Sequence, residues 1–600
     1  AQGTPAASKW AGPRGRGCGP GPGAPMAGGV IGVVAFAAIG GVLFGLDQGN
    51  WGGAIVKEGF LEAFCPGPPE ECRGADNLPP AYAEFLSLGS SLLQLGAAVG
   101  ALFVAPTCAS TQGRRETMCL GSVITIAGAV PQALTTNVTS FLAARFVSGM
   151  GVGIVTYALP MFVSEISPAY LRGALGCSMQ LTMVVGTVFA SLLNCRPWFG
   201  YKWSFVMPAF PAAVVAVGIF CFPVSPRFAL LQAARRGCMD DGVERAWKAL
   251  RLLRGSDAAA DEELVEIRAD LEEEARQAAP PWSIFWTEPS LRRRVLVANM
   301  LQWLQQLTGV NAILSYGPAI FQSAGVPVSG LTCAVITNGF NLVATMAMML
   351  VIDLWGRRML LLLGAASMFV WLSMAAFLAR ALEEDWFDDS NHVLCGWALL
   401  GCVCLYMASF AIAWGGVPWV YPSEIFPMAV KERALSTSVF SQWMANFLIA
   451  YLVPQQVRTL KVSGTFAFYA ACLAACFGLV YSLVPETKGL ELEEMGSLFG
   501  QVLPELGEVL PELAPRFERA TSGSSSACSF SFHDFAPLRK LRADTAPDMR
   551  ILLESPDGLS MGELMRKRAS SYDEDHGSKV QRRKANKQLH MGPTGAVAIF

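Results

Sequence analysis

Long apolar stretches alternate with short polar ones along most of this 600-residue chain. A helix that spans a membrane needs about 20 mostly apolar residues. The pattern predicts twelve such spans, numbered here in chain order: 27–48, 84–106, 118–136, 140–162, 175–194, 204–224, 295–316, 330–352, 359–379, 394–421, 436–454 and 464–484. Six spans precede a long polar gap and six follow it, so the chain divides into two groups of six helices.

Polar sequence separates and flanks the two groups. Residues 225–293 predict a cytoplasmic linker of amphipathic helices, because Ala, Leu and charged residues recur there at helical spacing. Residues 491–600 turn polar and predict a largely disordered tail. Residues 1–26 are rich in Gly, Pro and Ala and predict either a disordered tail or the remnant of a targeting segment. We therefore expect an all-α membrane protein with an N-terminal six-helix half over 27–224 and a C-terminal half over 294–490.

Composition supports a membrane protein and argues against a large soluble enzyme. Hydrophobic residues make up 52% of the chain and charged residues 15%, whereas soluble domains carry roughly 25% charged residues. The net charge of −2 gives no reason to expect nucleic-acid binding. The four histidines form no ligand pair and no phosphate-binding GxxxxGK[ST] motif is present. The sequence thus predicts no catalytic residues, no metal site and no cofactor.

Basic residues predict the orientation in the membrane. If both termini are cytoplasmic, the inner loops and the linker flanks hold thirteen Lys and Arg residues and the outer loops hold seven. An excess of basic residues marks the cytoplasmic side. The loop FCPGPPEEC then lies outside, where Cys65 and Cys72 form either a disulfide or two free thiols.

Charged motifs at the predicted inner ends of the spans occur twice, at matching positions in the two halves. GRR follows spans 2 and 8, and SEI(S/F)P follows spans 4 and 10 with a basic residue seven positions after the glutamate. Two similarly oriented halves are typical of alternating-access transporters. The predicted gating residues, which would pair across the halves and with helix ends, are Arg114, Arg115, Glu165, Arg172, Arg357, Arg358, Glu424 and Lys431. The simpler alternative is that these basic residues only anchor the inner ends.

Two ionisable side chains stand well inside the spans. Asp47 lies near the end of span 1 and Arg145 lies in span 4. Charge inside a membrane is costly and usually functional. A carboxylate that gains and loses an arginine partner can bind and release a proton. The pair therefore predicts proton coupling, with a fixed structural ion pair, or an aspartate at the outer mouth, as the alternative.

Amide and tryptophan side chains concentrate in the second half. Gln302, Gln305 and Gln306 share one face of span 7, and Asn311 follows them. Amides both donate and accept hydrogen bonds, which suits an uncharged ligand with many hydroxyls. Further residues of this kind in other spans are Gln180, Asn341, Trp414, Trp419, Trp443 and Asn446. We expect the set to form a sugar pocket. The alternative for each single amide is a hydrogen bond between helices.

These motifs resemble those of the sugar porters of the major facilitator superfamily, over residues 27–495. The closest matches are QQLTGVN from Gln305 to Asn311, PETKG from Pro485, and DLWGRR from Asp353. Ser110 and Val224 depart from the family pattern, each where the family has an acidic residue.

The resemblance implies a twelve-helix fold and assigns roles to particular side chains. The residues at positions that bind a hexose in the family are Gln180, Gln305, Gln306, Asn311, Asn341 and Trp419. Asp47 and Arg145 match the proton site of plant and bacterial sugar–proton symporters.

The predicted function is alternating-access transport of a monosaccharide, a hexose by the resemblance, coupled to proton symport. Two alternatives stay open. One is a facilitative uniporter, because fungal facilitators also carry an aspartate in span 1. The other is a non-transporting sugar sensor that signals through the long tail. The expected partners are the sugar, a proton and the lipid bilayer, with no nucleic acid. We expect a monomer in the plasma membrane.

Overall fold

The computed structural model describes residues 28–73, 78–168, 175–236, 238–276, 281–324, 326–386, 389–488 and 499. Within these residues the chain is helical and contains no strand. Arg172 and, apart from Phe499, the two tails lie outside the described residues.

The helices of the N-terminal half correspond to spans 1 to 6. In chain order they are Gly28–Ala37 with Ile39–Ala54 (span 1), Pro80–Val99 with a π-helical turn and Ala105–Thr111 (span 2), Arg114–Leu134 (span 3), Val138–Ile166 (span 4), Ser178–Asn194 (span 5), and Tyr201–Val206 with Ala209–Gly218 (span 6). The loop between spans 1 and 2 adds the short helix Glu58–Phe64 and the 3₁₀ turn Pro69–Cys72.

The C-terminal half contains spans 7 to 12. Its helices are Pro289–Leu307 with Val310–Ser323 (span 7), Gly330–Trp355 (span 8), Arg357–Glu383 (span 9), Asp389–Ala413 with Val417–Ile425 (span 10), and Met428–Leu483 (spans 11 and 12). The last helix bends at Lys461, where φ is 59°. Beside the bend, the Glu383 carboxylate accepts hydrogen bonds from the Ser463 amide (2.9 Å) and hydroxyl (2.6 Å). The bend separates spans 11 and 12, so the described residues confirm twelve spans.

Spans 7 and 10 are each broken, for different reasons. Span 7 breaks at Gly309, whose φ of 88° lies in the left-handed region that favours glycine. A β-carbon there would lie 2.6 Å from the Tyr469 ring. Span 10 breaks just before Pro418, because proline has no N–H to continue the helix and its ring clashes with the carbonyl four residues earlier. The breaks leave backbone groups within these spans without their usual helical hydrogen bonds.

The linker is bound to a membrane helix, and a disulfide closes the loop between spans 1 and 2. Linker helices Pro226–Arg236, Met239–Arg254 and Asp257–Arg276 follow span 6 as predicted. Arg254 binds Glu263 through two hydrogen bonds of 2.6 Å and donates to the Ile166 carbonyl at the end of span 4 (2.9 Å). In the loop between spans 1 and 2, Cys65 and Cys72 form a disulfide, which decides between the two alternatives that the sequence left open.

Candidate functional site

Asp47 and Arg145 form a buried ion pair in the N-terminal half, as predicted. Arg145 Nη1 lies 2.9 Å from Asp47 Oδ1, and both side chains are almost completely buried. Arg145 Nε also donates to the Gly89 carbonyl (2.8 Å), and its guanidinium lies 4.6 Å from the centre of the Trp51 ring. On the other carboxylate oxygen, the Ser148 hydroxyl donates at 3.5 Å. A buried pair is tolerated only when such additional partners satisfy its remaining hydrogen-bonding groups.

Glycines in span 1 fix the direction in which Asp47 points. Gly45 and Gly49 are one helical turn apart and face the backbone of span 5. A β-carbon at Gly45 would lie 1.9 Å from the Met183 carbonyl oxygen, and one at Gly49 would lie 3.1 Å from Thr187. The two backbones are therefore in direct contact, which holds span 1 at one rotation with Asp47 turned toward span 4.

Two span 7 glutamines bind the carbonyls that prolines leave without a donor in span 10. In a regular helix the N–H of residue 418 would bind the carbonyl of Trp414, but residue 418 is proline. Gln305 Nε2 donates to that carbonyl instead, at 2.6 Å. The Pro418 carbonyl likewise lacks a donor because residue 422 is proline, and Gln302 Nε2 donates to it at 2.8 Å. The two glutamines therefore brace the break in span 10.

The predicted sugar-binding residues fall into two groups, and the first lies at the breaks in spans 7 and 10. Gln306 accepts a hydrogen bond from Asn311 Nδ2 across the break in span 7, and a β-carbon on Gly415 would lie 3.5 Å from Gln180 Nε2. The structure thus places Gln180 of the first half opposite the span 10 break of the second.

The second group consists of the remaining predicted residues, Gln305, Asn341 and Trp419. Both ends of the Gln305 amide have protein partners, since its oxygen accepts from Gln442 Nε2 at 2.7 Å. Asn341 is buried in span 8, and its oxygen lies 3.5 Å from the Thr345 hydroxyl of the same helix. Trp419 is half-buried just after the span 10 break. The prediction that all six residues line one pocket remains untested.

Span 11 presents polar atoms without protein partners. Within the described part of the chain, Gln442 Oε1, Trp443 Nε1 and Asn446 Oδ1 are buried and have no hydrogen-bond partner. The Trp443 ring contacts Phe44 of span 1 edge-on, with 5.1 Å between ring centres. Span 11 therefore brings one free donor and two free acceptors to the boundary between the halves.

Direct hydrogen bonds join the halves through the part of the spans that we predict to be extracellular. Gln48 Nε2 donates to Asn311 Oδ1 at 2.6 Å. The Tyr316 hydroxyl donates to the Leu86 carbonyl at 3.1 Å. On the opposite side of span 1, Asn338 Nδ2 donates to the Ser191 hydroxyl at 2.9 Å. Spans 1, 2 and 5 are thus bound to spans 7 and 8, and this side of the transport path is closed.

Four of the predicted gating residues form ion pairs inside the halves. Arg114 pairs with Glu165 at 2.8 Å in the first half. Arg357 pairs with Glu424 at 2.7 Å in the second. We predicted pairing across the halves, whereas these two pairs join helices of one half. The reason is geometric: the GRR and SEI motifs of each half end neighbouring helices on the same side.

Helix termini complete these networks. The Glu486 carboxylate accepts from the backbone N–H groups of Arg357 (2.8 Å) and Arg358 (3.0 Å), and so caps span 9. In the first half, Arg115 donates to the Phe222 carbonyl at 2.9 Å. Lys431 is half-buried at the start of span 11. The predicted contacts between the motifs and helix ends are therefore present.

Known proteins share this architecture. A family model described as "Sugar (and other) transporter" matches residues 33–499. The chain belongs to this family. Sugar transport protein 10 of Arabidopsis thaliana is 31% identical over 482 residues, which cover 79% of this chain and 91% of that protein. A probable glucose transporter of Neurospora crassa is 32% identical over 483 residues, 78% of each chain.

A solved structure of the same fold gives independent support. The Escherichia coli xylose transporter XylE, in a partially occluded inward-open conformation, matches with a TM-score of 0.62 and 23% identity. The match covers 78% of this chain and 100% of that one. This transporter is therefore a multi-pass membrane protein with the major facilitator fold, and its family consists of transporters rather than enzymes. Within the described residues, no group of His, Cys, Asp and Glu could hold a metal ion.

Sequence reasoning missed several polar residues of this transporter. Gln132 lies 3.4 Å from Arg145, and Ser148 contacts Asp47. Gln48 and Gln442 hold Asn311 and Gln305 respectively. A usable signal existed for Gln48, because the run Asp-Gln-Gly-Asn is too polar for the lipid-facing part of span 1. No local signal could show which amides meet across the halves.

Proposed function

We propose that this protein carries a monosaccharide, most simply a hexose, across the plasma membrane by alternating access together with a proton. The buried Asp47–Arg145 pair carries the proposal. The pair belongs to the first half, and the unpartnered polar atoms of span 11 belong to the second. One carrier thus holds both a buried titratable carboxylate and an uncharged polar surface.

The chemistry of the second half suits a sugar. Gln306, Asn311, Gln442 and Asn446 combine donors and acceptors without charge. Trp443 adds an indole N–H that has no protein partner within the described residues. A sugar hydroxyl both donates and accepts, so it satisfies such groups in pairs. The relatives named for sugar and glucose transport support this substrate class.

The chemistry of the first half suits a proton. Asp47 is held between Arg145 and Ser148 with no other charged partner among the described residues. A protonated aspartate gives up the ion pair, whereas Arg145 keeps the Gly89 carbonyl and the Trp51 ring. Proton binding would therefore release span 1 from span 4 without leaving the arginine unpartnered.

The closed outer side supports alternating access. The hydrogen bonds from Gln48, Tyr316 and Asn338 must break for a sugar to enter from outside. They are few and lie between halves that are otherwise internally bonded. Such an interface can alternate between two packings as the halves rock against one another. We further propose that both termini are cytoplasmic and that the monomer is the working unit.

Radiolabelled glucose uptake into proteoliposomes tests the function. Wild type and Asp47→Asn are compared with and without an inward proton gradient. We expect gradient-driven accumulation in the wild type and only equilibrating exchange in the variant, because asparagine cannot bind and release the proton. Equal, non-accumulating flux under all conditions would make the protein a uniporter. Absence of flux, with binding retained, would indicate a sensor.

A further inference from the structure

Gln48 lies between the proposed proton site and the proposed sugar site. It follows Asp47 directly in span 1 and is itself buried, with 5% of its surface exposed. Successive residues of a helix point about 100° apart. The Asp47 side chain accordingly faces span 4 of its own half, while Gln48 reaches span 7 of the other.

A continuous series of amides runs from Gln48 into the second half. Its Nε2 donates to Asn311 Oδ1 at 2.6 Å, and Asn311 Nδ2 donates in turn to Gln306 Oε1. Asn311 is in the first turn of the helix that begins just after the Gly309 break. Gln48 thus binds the first turn after the break in span 7, and this span also carries two proposed sugar-binding residues, Gln306 and Asn311.

The other end of the Gln48 amide is unused in this conformation. Its Oε1 is buried and has no hydrogen-bond partner among the residues that the structure describes. A buried acceptor without a donor is unfavourable and is relieved when a donor arrives. A sugar hydroxyl between the halves supplies that donor.

We propose that Gln48 is the positioning residue that couples the proton site to the sugar site. The proposal rests on the proposed function. When Asp47 and Arg145 part, span 1 loses its ion pair with span 4 and can shift against it. Gln48 then moves relative to Asn311, which changes how Asn311 and Gln306 present their amides to the sugar. Affinity for the sugar therefore depends on protonation of Asp47, and by linkage the converse holds.

Within the described residues, the titratable groups near Asp47 are an arginine and, beyond it, a tyrosine. Arg145 is the charged group that faces it, from span 4. Tyr316 of span 7 is the titratable group that faces Arg145 from the second half. Tyr316 is already engaged with the Leu86 and Ala450 carbonyls. The proposal therefore invokes the protonation of Asp47 alone in this cluster.

The test measures glucose binding to the purified full-length protein at pH 5.5 and pH 8.0. Wild type is compared with Gln48→Met, which keeps the length of the side chain but has no amide. The matched control is Asn338→Leu, which removes another buried hydrogen bond between the halves, away from Asp47. We expect wild type and the control to bind glucose about fivefold or more tightly at the lower pH. In Gln48→Met the two affinities should agree within about twofold.

Transport separates coupling from simple binding. Gln48→Met should exchange glucose across proteoliposomes but fail to accumulate it on an inward proton gradient. If this variant does not fold, Gln48→Asn, which withdraws the amide by one methylene, carries the same expectations. A wild-type pH ratio in the variants, or an equal loss of affinity at both pH values, overturns the role of Gln48 while symport stands. A wild type that never accumulates glucose overturns both proposals.

Discussion

The brace between spans 7 and 10 makes a quantitative prediction for Gln305. Replacing Gln305 with methionine preserves the volume but leaves the Trp414 carbonyl without a donor and Gln442 Nε2 without an acceptor. Each buried group left unsatisfied costs about 1–3 kcal/mol. Since Gln442 is a flexible side chain that can turn toward another partner, we expect Gln305→Met to lower the unfolding free energy by about 3 kcal/mol.

Gln302 provides the matched control on the same helix face. Gln302→Met removes the donor to the Pro418 carbonyl, but it also removes the Gln302 oxygen, which is buried and unpaired. These effects partly cancel, so we expect Gln302→Met to lower the unfolding free energy by only about 1 kcal/mol. Unfolding of sugar-free protein in mixed detergent micelles, followed by tryptophan fluorescence, compares the two. Equal losses would refute the inference that Gln305 has two structural partners and Gln302 one.

Proline substitution tests the cause of the brace. Pro418→Ala restores an N–H that can bind the Trp414 carbonyl, which makes the Gln305 donor partly redundant. In that background Gln305→Met should cost at least about 1 kcal/mol less than in the wild type, as expected for residues that share a partner. Strict additivity of the two substitutions would show that the carbonyl freed by Pro418 is not what Gln305 stabilises.

Three further predictions concern the ends of the helices. The double variant Cys65→Ser, Cys72→Ser should have an unfolding free energy about 2 kcal/mol lower than the wild type, because the disulfide closes a short loop with a sequence separation of 7. A reductant should lower the unfolding midpoint of the wild type and leave that of the variant unchanged. Burial lowers the pKa of Lys57, in the loop between spans 1 and 2, to about 8 from 10.5. The folded state therefore loses this proton at lower pH than the unfolded state does. The stability of the wild type relative to Lys57→Met should rise between pH 8 and pH 10.5, and a flat or falling difference would contradict the burial of the ammonium. Glu486→Ala should lower the unfolding free energy by about 1–2 kcal/mol, because it removes the carboxylate that caps span 9. The same unfolding assay measures this loss, and an unchanged midpoint would mean that water replaces the carboxylate without loss of stability.

Much of the architecture followed from local pattern. Apolar length predicted all twelve spans, because a backbone in lipid must satisfy its hydrogen bonds within a helix. The Asp47–Arg145 pair was predictable as well, since charge buried in a membrane requires a partner. Repeated motifs indicated two related halves. In each case the physical constraint acts on single segments or on a rare residue type, so the sequence carries the information directly.

The partners of the amides were decided by the tertiary structure. Gln305 was predicted to bind sugar, yet both ends of its side chain bind span 10 and span 11 in this conformation. The paired motifs were expected to join the halves, and the Arg114–Glu165 and Arg357–Glu424 pairs lie within them.

What the sequence determined by itself was which groups cannot face lipid: the charges, the glutamines and the breaks at Gly309 and Pro418. What only the fold decided was which of these groups satisfies which. A proline in one helix creates an unpaired carbonyl, but the donor that reaches it depends on the crossing and rotation of another helix more than a hundred residues away. The same holds for Gln48 and Asn311, which are 263 positions apart and meet only because the halves close on that side.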